Sequence, residues 1–395
     1  MNTVLVSLLV NSGILLALGA TLYAAPSPLL NPHSVPFGVR VPPDKADAPE
    51  VSEQRRRYRA LLLPATLIVT VAALVIGAVL DSVAVGGVAA AVLCVIAAAL
   101  WLSAHRALAR AKERGNWYEH VRQGAVMDTS LRTDPVRLPW AWAIPSLVVV
   151  VVTAVAGAIV YPQLPEMMAL PERSANGTVY REITTTFWTA FSLVFAQILL
   201  TAMVIGTVAA VLRARADLDV SRPRSSAAQH RRYLSLTARS LLGIAALLNL
   251  MLLGLSGMMW SDSRSGAVLS LVIGVPLLAA VAVSVPLVRM GPGGSRLVLE
   301  SADGSGGSKG MGSGGLGGPG APDEGTGLVP RDDDRHWYGA GTVYVNADDP
   351  AILVPRRVGM GWTVNLGNLR FLIISAAVLA IAAGATVVSV TMGSS

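Results

Sequence analysis

Side chains that could act as catalysts or metal ligands are few and scattered in this sequence. The five histidines do not follow the spacing of a metal site; they are His33, His105, His120, His230 and His336. Cys94 is the only cysteine and lies within an apolar stretch, so no disulfide can form inside one chain. We therefore predict no catalytic residue, no metal, no cofactor and no enzymatic activity.

Charged residues of both signs gather near the C-terminal end. They are Asp332, Asp333, Asp334, Arg335, Asp348, Asp349, Arg356 and Arg357. The carboxylates could chelate a divalent cation, or they could form turns and pair with the arginines, which is the interpretation we favour. Residues 310–315 fit a G-x-G-x-x-G pattern. Neither a strand before them nor a helix after them is predicted, so we expect no phosphate-binding loop there.

The elements that would position these groups are apolar helices. The chain has 395 residues, of which 53% are hydrophobic and 14% charged, and its mean hydropathy is +0.57. That composition excludes an ordinary soluble enzyme. Uncharged stretches of about 20 residues are long enough to cross a bilayer. The sequence predicts an all-α, multi-pass membrane protein with about eight helices, near residues 3–23, 61–80, 83–103, 139–161, 187–212, 240–260, 266–288 and 371–391.

Basic residues are distributed very unevenly among the segments that connect these helices. Six lie in residues 25–59, seven in 104–137, seven in 213–239 and eight in 289–370. The alternating segments together hold three. This bias predicts that the four basic segments are cytoplasmic, contacting anionic headgroups, and that both termini are extracytoplasmic. No nucleic-acid motif accompanies the positive charge, so we predict no nucleic-acid partner.

The choice of basic residue indicates the source of the chain. Three lysines stand against 28 arginines, and Ala, Val and Gly are abundant. This usage is typical of a GC-rich bacterial coding sequence, so we predict the bacterial cell membrane as the location.

Three pairs of short motifs suggest internal duplication. Residues 54–58 resemble 229–233, residues 81–82 resemble 262–263, and residues 116–118 resemble 336–338. Two parallel halves of four helices would place each pair at equivalent positions. The alternative is that basic and aromatic residues simply gather at membrane interfaces.

Two further segments follow the seventh helix, which closes a membrane domain of residues 1–290. Residues 291–327 are rich in Gly, Ser and Pro and predict a flexible linker. Residues 331–368 predict a small cytosolic β-hairpin module, with strands around 343–345 and 352–354 joined by a turn at 346–350. We expect Trp337, Tyr344 and Trp362 to cover its apolar face or to lie at the headgroups.

Residues 333–365 carry the motifs Asp-Asp-Arg-His-Trp, Val-Tyr-Val-Asn-x-Asp-Asp-Pro and Gly-x-Gly-Trp-Thr-Val-Asn. They resemble a short cytosolic domain of unknown function found in bacterial integral membrane proteins. Residues 37–42 and 161–165 resemble the membrane domain that accompanies it. That membrane domain also occurs in SdpI-type proteins, so the resemblance implies a role in immunity against a secreted toxin or in sequestering a transcriptional repressor.

We expect a non-enzymatic membrane protein that binds a partner or ligand in signalling or in a toxin-immunity-like role. The module would bind a cytosolic protein, and the outer loop at residues 161–182 would face external ligands. The candidate partner-binding residues are Asp333, Arg335, Trp337, Asn346, Asp348, Asp349, Pro350, Arg356, Arg357, Gly361, Trp362 and Asn365.

The alternative is a transporter of small molecules or peptides, suggested by the two possible halves and by prolines within the predicted spans. Asn11, Gln197 and Asn249 are the most polar residues of those spans. Because no ionisable residue lies at their depth, we expect them to form hydrogen bonds between helices.

Overall fold

The computed structural model describes residues 3–80, 82, 84–124, 134–174, 177–297 and 326–376. The described part of the chain is mostly helical. Its helices are α1 (Thr3–Ala24), α2 (Pro49–Val79), α3 (Val85–Arg114), α4 (Trp140–Val160), α5 (Phe187–Ala190), α6 (Ser192–Leu212), α7 (Pro223–Trp260) and α8 (Gly266–Met290). The strands are β1 (Gln123–Gly124), β2 (Met167–Ser174), β3 (Gly177–Thr184), β4 (Val329–Pro330), β5 (Trp337–Tyr338), β6 (Val343–Tyr344), β7 (Leu353–Pro355) and β8 (Trp362–Val364).

Six of the described helices are long and apolar enough to cross a membrane, namely α2, α3, α4, α6, α7 and α8. The apolar part described in α1 is shorter. A further helix begins at residue 369, but residues 377–391 of the predicted eighth span lie outside the described residues. Residues 298–325 of the predicted linker, with the glycine motif at 310–315, also lie outside them.

Several helices extend beyond their apolar segments into the basic ones. Helices α2 and α7 each have proline in their first turn, where its missing N–H costs no hydrogen bond. The arginine-rich residues that follow are good helix formers, so each helix starts more than ten residues before its predicted span. Helix α3 likewise continues through basic residues to Arg114.

The helices form two bundles. Helices α1, α2 and α3 pack together, and α4, α6 and α8 all pack around α7. The fourth predicted span, α4, therefore contacts the helices that follow it. The packing seen in the described residues divides the chain after α3, whereas the proposed pair of four-helix halves would divide it after α4.

Polar side chains join three helices of the second bundle. Gln197 on α6 donates from Nε2 to Thr153 Oγ1 on α4 at 3.0 Å and to the backbone oxygen of Asn249 on α7 at 2.9 Å. Asn249 in turn donates to Thr201 Oγ1 at 2.8 Å. The interhelical hydrogen bonds predicted for Gln197 and Asn249 are therefore present, and both side chains are fully buried.

The strands form four separate pairs. Strands β2 and β3 build an antiparallel hairpin between α4 and α5. In the module, β5 pairs with β6 and β7 with β8, both antiparallel. Strand β1, which follows α3, pairs in parallel with β4 at the start of the module.

The strand pairing of the module differs from the predicted hairpin, because residues 346–350 do not join two paired strands. Their backbone is bound by side chains instead. Asn365 donates from Nδ2 to the backbone oxygens of Asn346, Asp349 and Ala351. Asp349 Oδ1 accepts from the N–H of Ala351 at 2.9 Å. These bonds hold the segment as a loop, while β6 pairs with β5 and β7 pairs with β8.

Candidate functional site

The four segments predicted to be cytoplasmic meet at one end of the helices, which we call the basic end. Arg296, after α8, donates to the backbone oxygen of Pro28, after α1, at 2.8 Å. Arg40 forms an ion pair with Asp217, between α6 and α7, at 3.1 Å. The opposite end carries the β2–β3 hairpin, where Arg264 approaches Glu182 at 3.4 Å.

The module is bound to the basic end by a cluster of ion pairs. Arg40 Nε lies 2.9 Å from Asp333, and Lys112 Nζ on α3 lies 2.6 Å from Asp334. Arg357, whose side chain is buried, bridges Asp333 and Asp334. The aspartates therefore pair with cations, and most of these cations come from outside the module. Among the described residues, no group of three or more His, Cys, Asp or Glu is placed to hold a metal ion.

These pairs keep the aspartates charged. Burial alone would raise the pKa of Asp333, but the charges of Arg40 and Arg357, with hydrogen bonds from Arg357 and Trp337, lower it to about 2. Burial likewise opposes the ionised form of Asp334, and the charges of Arg357 and Lys112 lower its pKa. Both carboxylates are therefore ionised at neutral pH.

The backbone of the module is in direct contact with that of the segment between α1 and α2. A Cβ built on Gly38 would lie 2.3 Å from the oxygen of Ala340, and one on Gly341 would lie 2.6 Å from Gly38 Cα. Arg357 donates to the oxygen of Gly38 at 3.0 Å, and Trp101 Nε1 on α3 donates to that of Ala340 at 3.3 Å. Two glycines without side chains thus allow the two backbones to touch.

A cavity of about 790 Å³ lies where the module meets the end of α6. Its volume falls within the range of small-molecule sites. The lining from the module consists of Arg331, Asp332, Asp333, Arg335, His336, Tyr344, Asn346 and Asp348, and Pro330 directly before the module adds to it. The segment after α6 contributes residues 213–218 and Val220. Leu212 and Leu234 add apolar surface from α6 and α7. A ligand in this cavity would contact both the module and the helices.

Residues 347–371 match a family of unknown function, DUF5808. The match covers the loop bound by Asn365, strands β7 and β8, and the start of the helix at residue 369. No curated protein matches the chain, and no solved structure matches it. Most of the matched segment lies within the module, and its last three residues belong to the helix that follows.

The twelve candidate partner-binding residues occupy different environments. Asp349, Arg357 and Asn365 are buried; Asp333, Trp337, Asn346, Gly361 and Trp362 are partly buried; Arg335, Asp348, Pro350 and Arg356 are exposed. Most of the first two groups bind other parts of this chain. Asp349, for example, pairs with Arg215 at 2.5 Å and accepts from Tyr344 at 3.0 Å.

Sequence reasoning missed the residues outside the module that complete the site. Arg40, Lys112, Arg213, Arg215 and Asp217 were counted only as topological charges or not at all. One indication existed, because Arg40 lies within the motif at residues 37–42. In the structure, the apolar residues of that motif, Phe37, Val39 and Val41, are buried, which fixes Arg40 between the module and the residues after α6.

Proposed function

We propose that the chain is a non-enzymatic integral membrane protein of the bacterial cell membrane, with its basic end in the cytoplasm, that binds a ligand between the module and the helices. The observation that carries this proposal is the cavity of about 790 Å³ whose lining comes from both. A ligand that contacts both the module and the helices favours the arrangement in which the module is docked on the helices. Binding would therefore be coupled to the position of the module.

A signalling role follows from this coupling. Pro350 and Arg356 are exposed on the docked module and lie outside the cavity lining, so they are available to a cytosolic protein. A partner that binds these residues would sense the module together with its ligand. The toxin-immunity-like role rests on the resemblance of the sequence motifs and is one form that such signalling could take.

The test is a screen for ligands that stabilise the purified protein in nanodiscs. The variant Ala216→Phe fills the cavity from the segment after α6, and Ala210→Phe places the same side chain on an exposed position of that helix. We expect ligands that raise the Tm of the wild-type protein and of Ala210→Phe but not that of Ala216→Phe. Ligands that stabilise Ala216→Phe equally would contradict binding in the cavity.

A further inference from the structure

The cavity holds three arginines without a carboxylate partner among the described residues: Arg213, Arg331 and Arg335. Within the described part of the chain, the Arg335 side chain donates to the neighbouring ring of His336, at 3.0 Å, while Arg213 and Arg331 donate from their backbone N–H groups to the oxygens of Ala210 and Gly124. All three side chains are exposed. They therefore differ from Arg40, whose charge is compensated by Asp217 and Asp333.

The acidic residues of the lining do not cancel this charge. Asp217 pairs with Arg40, Asp332 with Lys112, and Asp333 with Arg40 and Arg357. Within the described part of the chain, Asp348 is the lining carboxylate that forms no ion pair. The described lining carries five arginines against four aspartates, so its net charge is positive, and Arg213, Arg331 and Arg335 are the arginines that no described carboxylate pairs with.

We propose that this cavity binds a phosphate group carried by a small organic molecule. Guanidinium groups bind phosphate oxygens in a bidentate manner, and several of them suit a group with more than one negative charge. The apolar lining from Leu212, Leu218, Val220 and Leu234 provides surface for the organic part. This inference rests on the proposed function and names the ligand class of the same site.

The arginines come from both sides of the cavity, which gives the phosphate a structural effect. Arg213 follows α6, whereas Arg331 and Arg335 belong to the module. An anion bound by arginines from both sides links the module to the helix end. Phosphate binding therefore stabilises the docked module.

The test measures binding to the full-length protein in two arms. In the first, pyrophosphate is titrated into protein in phosphatidylcholine nanodiscs. In the second, no soluble phosphate is added and the nanodiscs contain phosphatidic acid, which supplies the same group from a lipid. The Arg213→Gln, Arg331→Gln and Arg335→Gln variants are compared with Arg57→Gln and Arg370→Gln, which replace exposed arginines outside this cavity.

We expect each cavity variant to weaken pyrophosphate binding about tenfold, because each removes a charge-assisted hydrogen bond, while both controls bind as the wild type does. If the arginine variants weaken binding only in the phosphatidic acid arm, the bound phosphate group comes from a lipid. Binding that is absent in both arms, or unchanged in all three variants, overturns the inference. Ligands from the screen that lack phosphate and are excluded by Ala216→Phe would leave the proposed function standing while this inference fails.

Discussion

Arg357 is the residue on which the polar contacts of the module converge. It is 2% exposed, binds Asp333 and Asp334, donates to the oxygen of Gly38, and lies with its guanidinium carbon 4.9 Å from the ring centroid of Trp337. Of the three module arginines expected to pair with the aspartates, Arg357 does so, whereas Arg335 and Arg356 form no ion pair within the described part of the chain. Arg40 and Lys112 could not be identified as partners, because each is more than 200 residues from the aspartates and sequence spacing carries no information about such contacts.

Replacing Arg357 by methionine keeps much of the side-chain volume but leaves two carboxylates without their buried partner. We expect Arg357→Met to lower the free energy of unfolding by about 3 kcal/mol, since removing one member of a buried ion pair strands the other. Arg356→Met is the matched control, because Arg356 is exposed, and it should change stability by less than about 1 kcal/mol. Thermal unfolding in nanodiscs measures both, and equal losses would show that the ion-pair cluster does not hold the module.

The lowered pKa of Asp333 predicts how docking depends on pH. Its pKa is about 2 in the folded chain, against an ordinary value of 3.8. A lowered folded pKa stabilises the protein above the ordinary value, and this stabilisation is lost as pH falls through the folded value. The Trp337 fluorescence, taken as the difference between wild type and Trp337→Phe, should stay constant from pH 8 to 5 and change between about pH 4 and 2. Burial lowers the pKa of His230 to about 4, so the change must persist in a His230→Gln variant, and its loss there would contradict an origin in the aspartates.

At the scale of elements, the sequence predicted the apolar helices well and the small strands poorly. Stretches of about 20 uncharged residues are long enough to cross a bilayer as helices. The positions of six helices could therefore be inferred. Pairing of the short strands depends on side-chain bonds such as those of Asn365, which bind backbone groups 14 to 19 residues away. Nothing in the local pattern of Val and Ile residues specifies those bonds.

Contact between two backbones predicts a specific effect at Gly341. Its φ is +84°, and a Cβ there would lie 2.6 Å from Gly38 Cα. Gly359 has a similar φ of +80°, but nothing lies within 4 Å of its Cβ position. Gly359→Ala should therefore cost only the backbone strain, about 1–2 kcal/mol. Gly341→Ala should cost clearly more, because the two segments must also separate. Equal shifts in Tm for both variants would refute the close approach.

At the scale of the whole molecule, the charge bias of the sequence and the structure agree. The charge bias assigned residues 25–59, 104–137, 213–239 and 289–370 to one side, and the structure brings described parts of all four together at the basic end. The cavity could not be predicted, because it forms only where segments distant in sequence meet. Of its lining arginines, Arg335 was a candidate partner-binding residue from the sequence, whereas Arg213 and Arg215 were visible only as topological charges.

This agreement predicts the topology of the chain. Reporter fusions at residues 120, 225 and 340 should all report the cytoplasm, and a fusion at residue 263, at the hairpin end, should report the opposite side. The physical reason is that segments rich in arginine are retained on the cytoplasmic side when the chain is inserted. Reporters at the first three positions that appear on different sides would disprove the proposed threading.

The docked module is the central claim, and the pairing of β1 with β4 allows a direct measurement. Gln123 and Val329 are partners in that parallel pair, and neighbouring strands lie about 4.8 Å apart, within the range that a disulfide can span. In a Cys94→Ala background, we predict that Gln123→Cys with Val329→Cys forms a cross-link in intact membranes under mild oxidation. Gln123→Cys with Ser263→Cys, at the hairpin end, should form none. Absence of the first cross-link, or equal yields from both pairs, would contradict a module docked on the basic end.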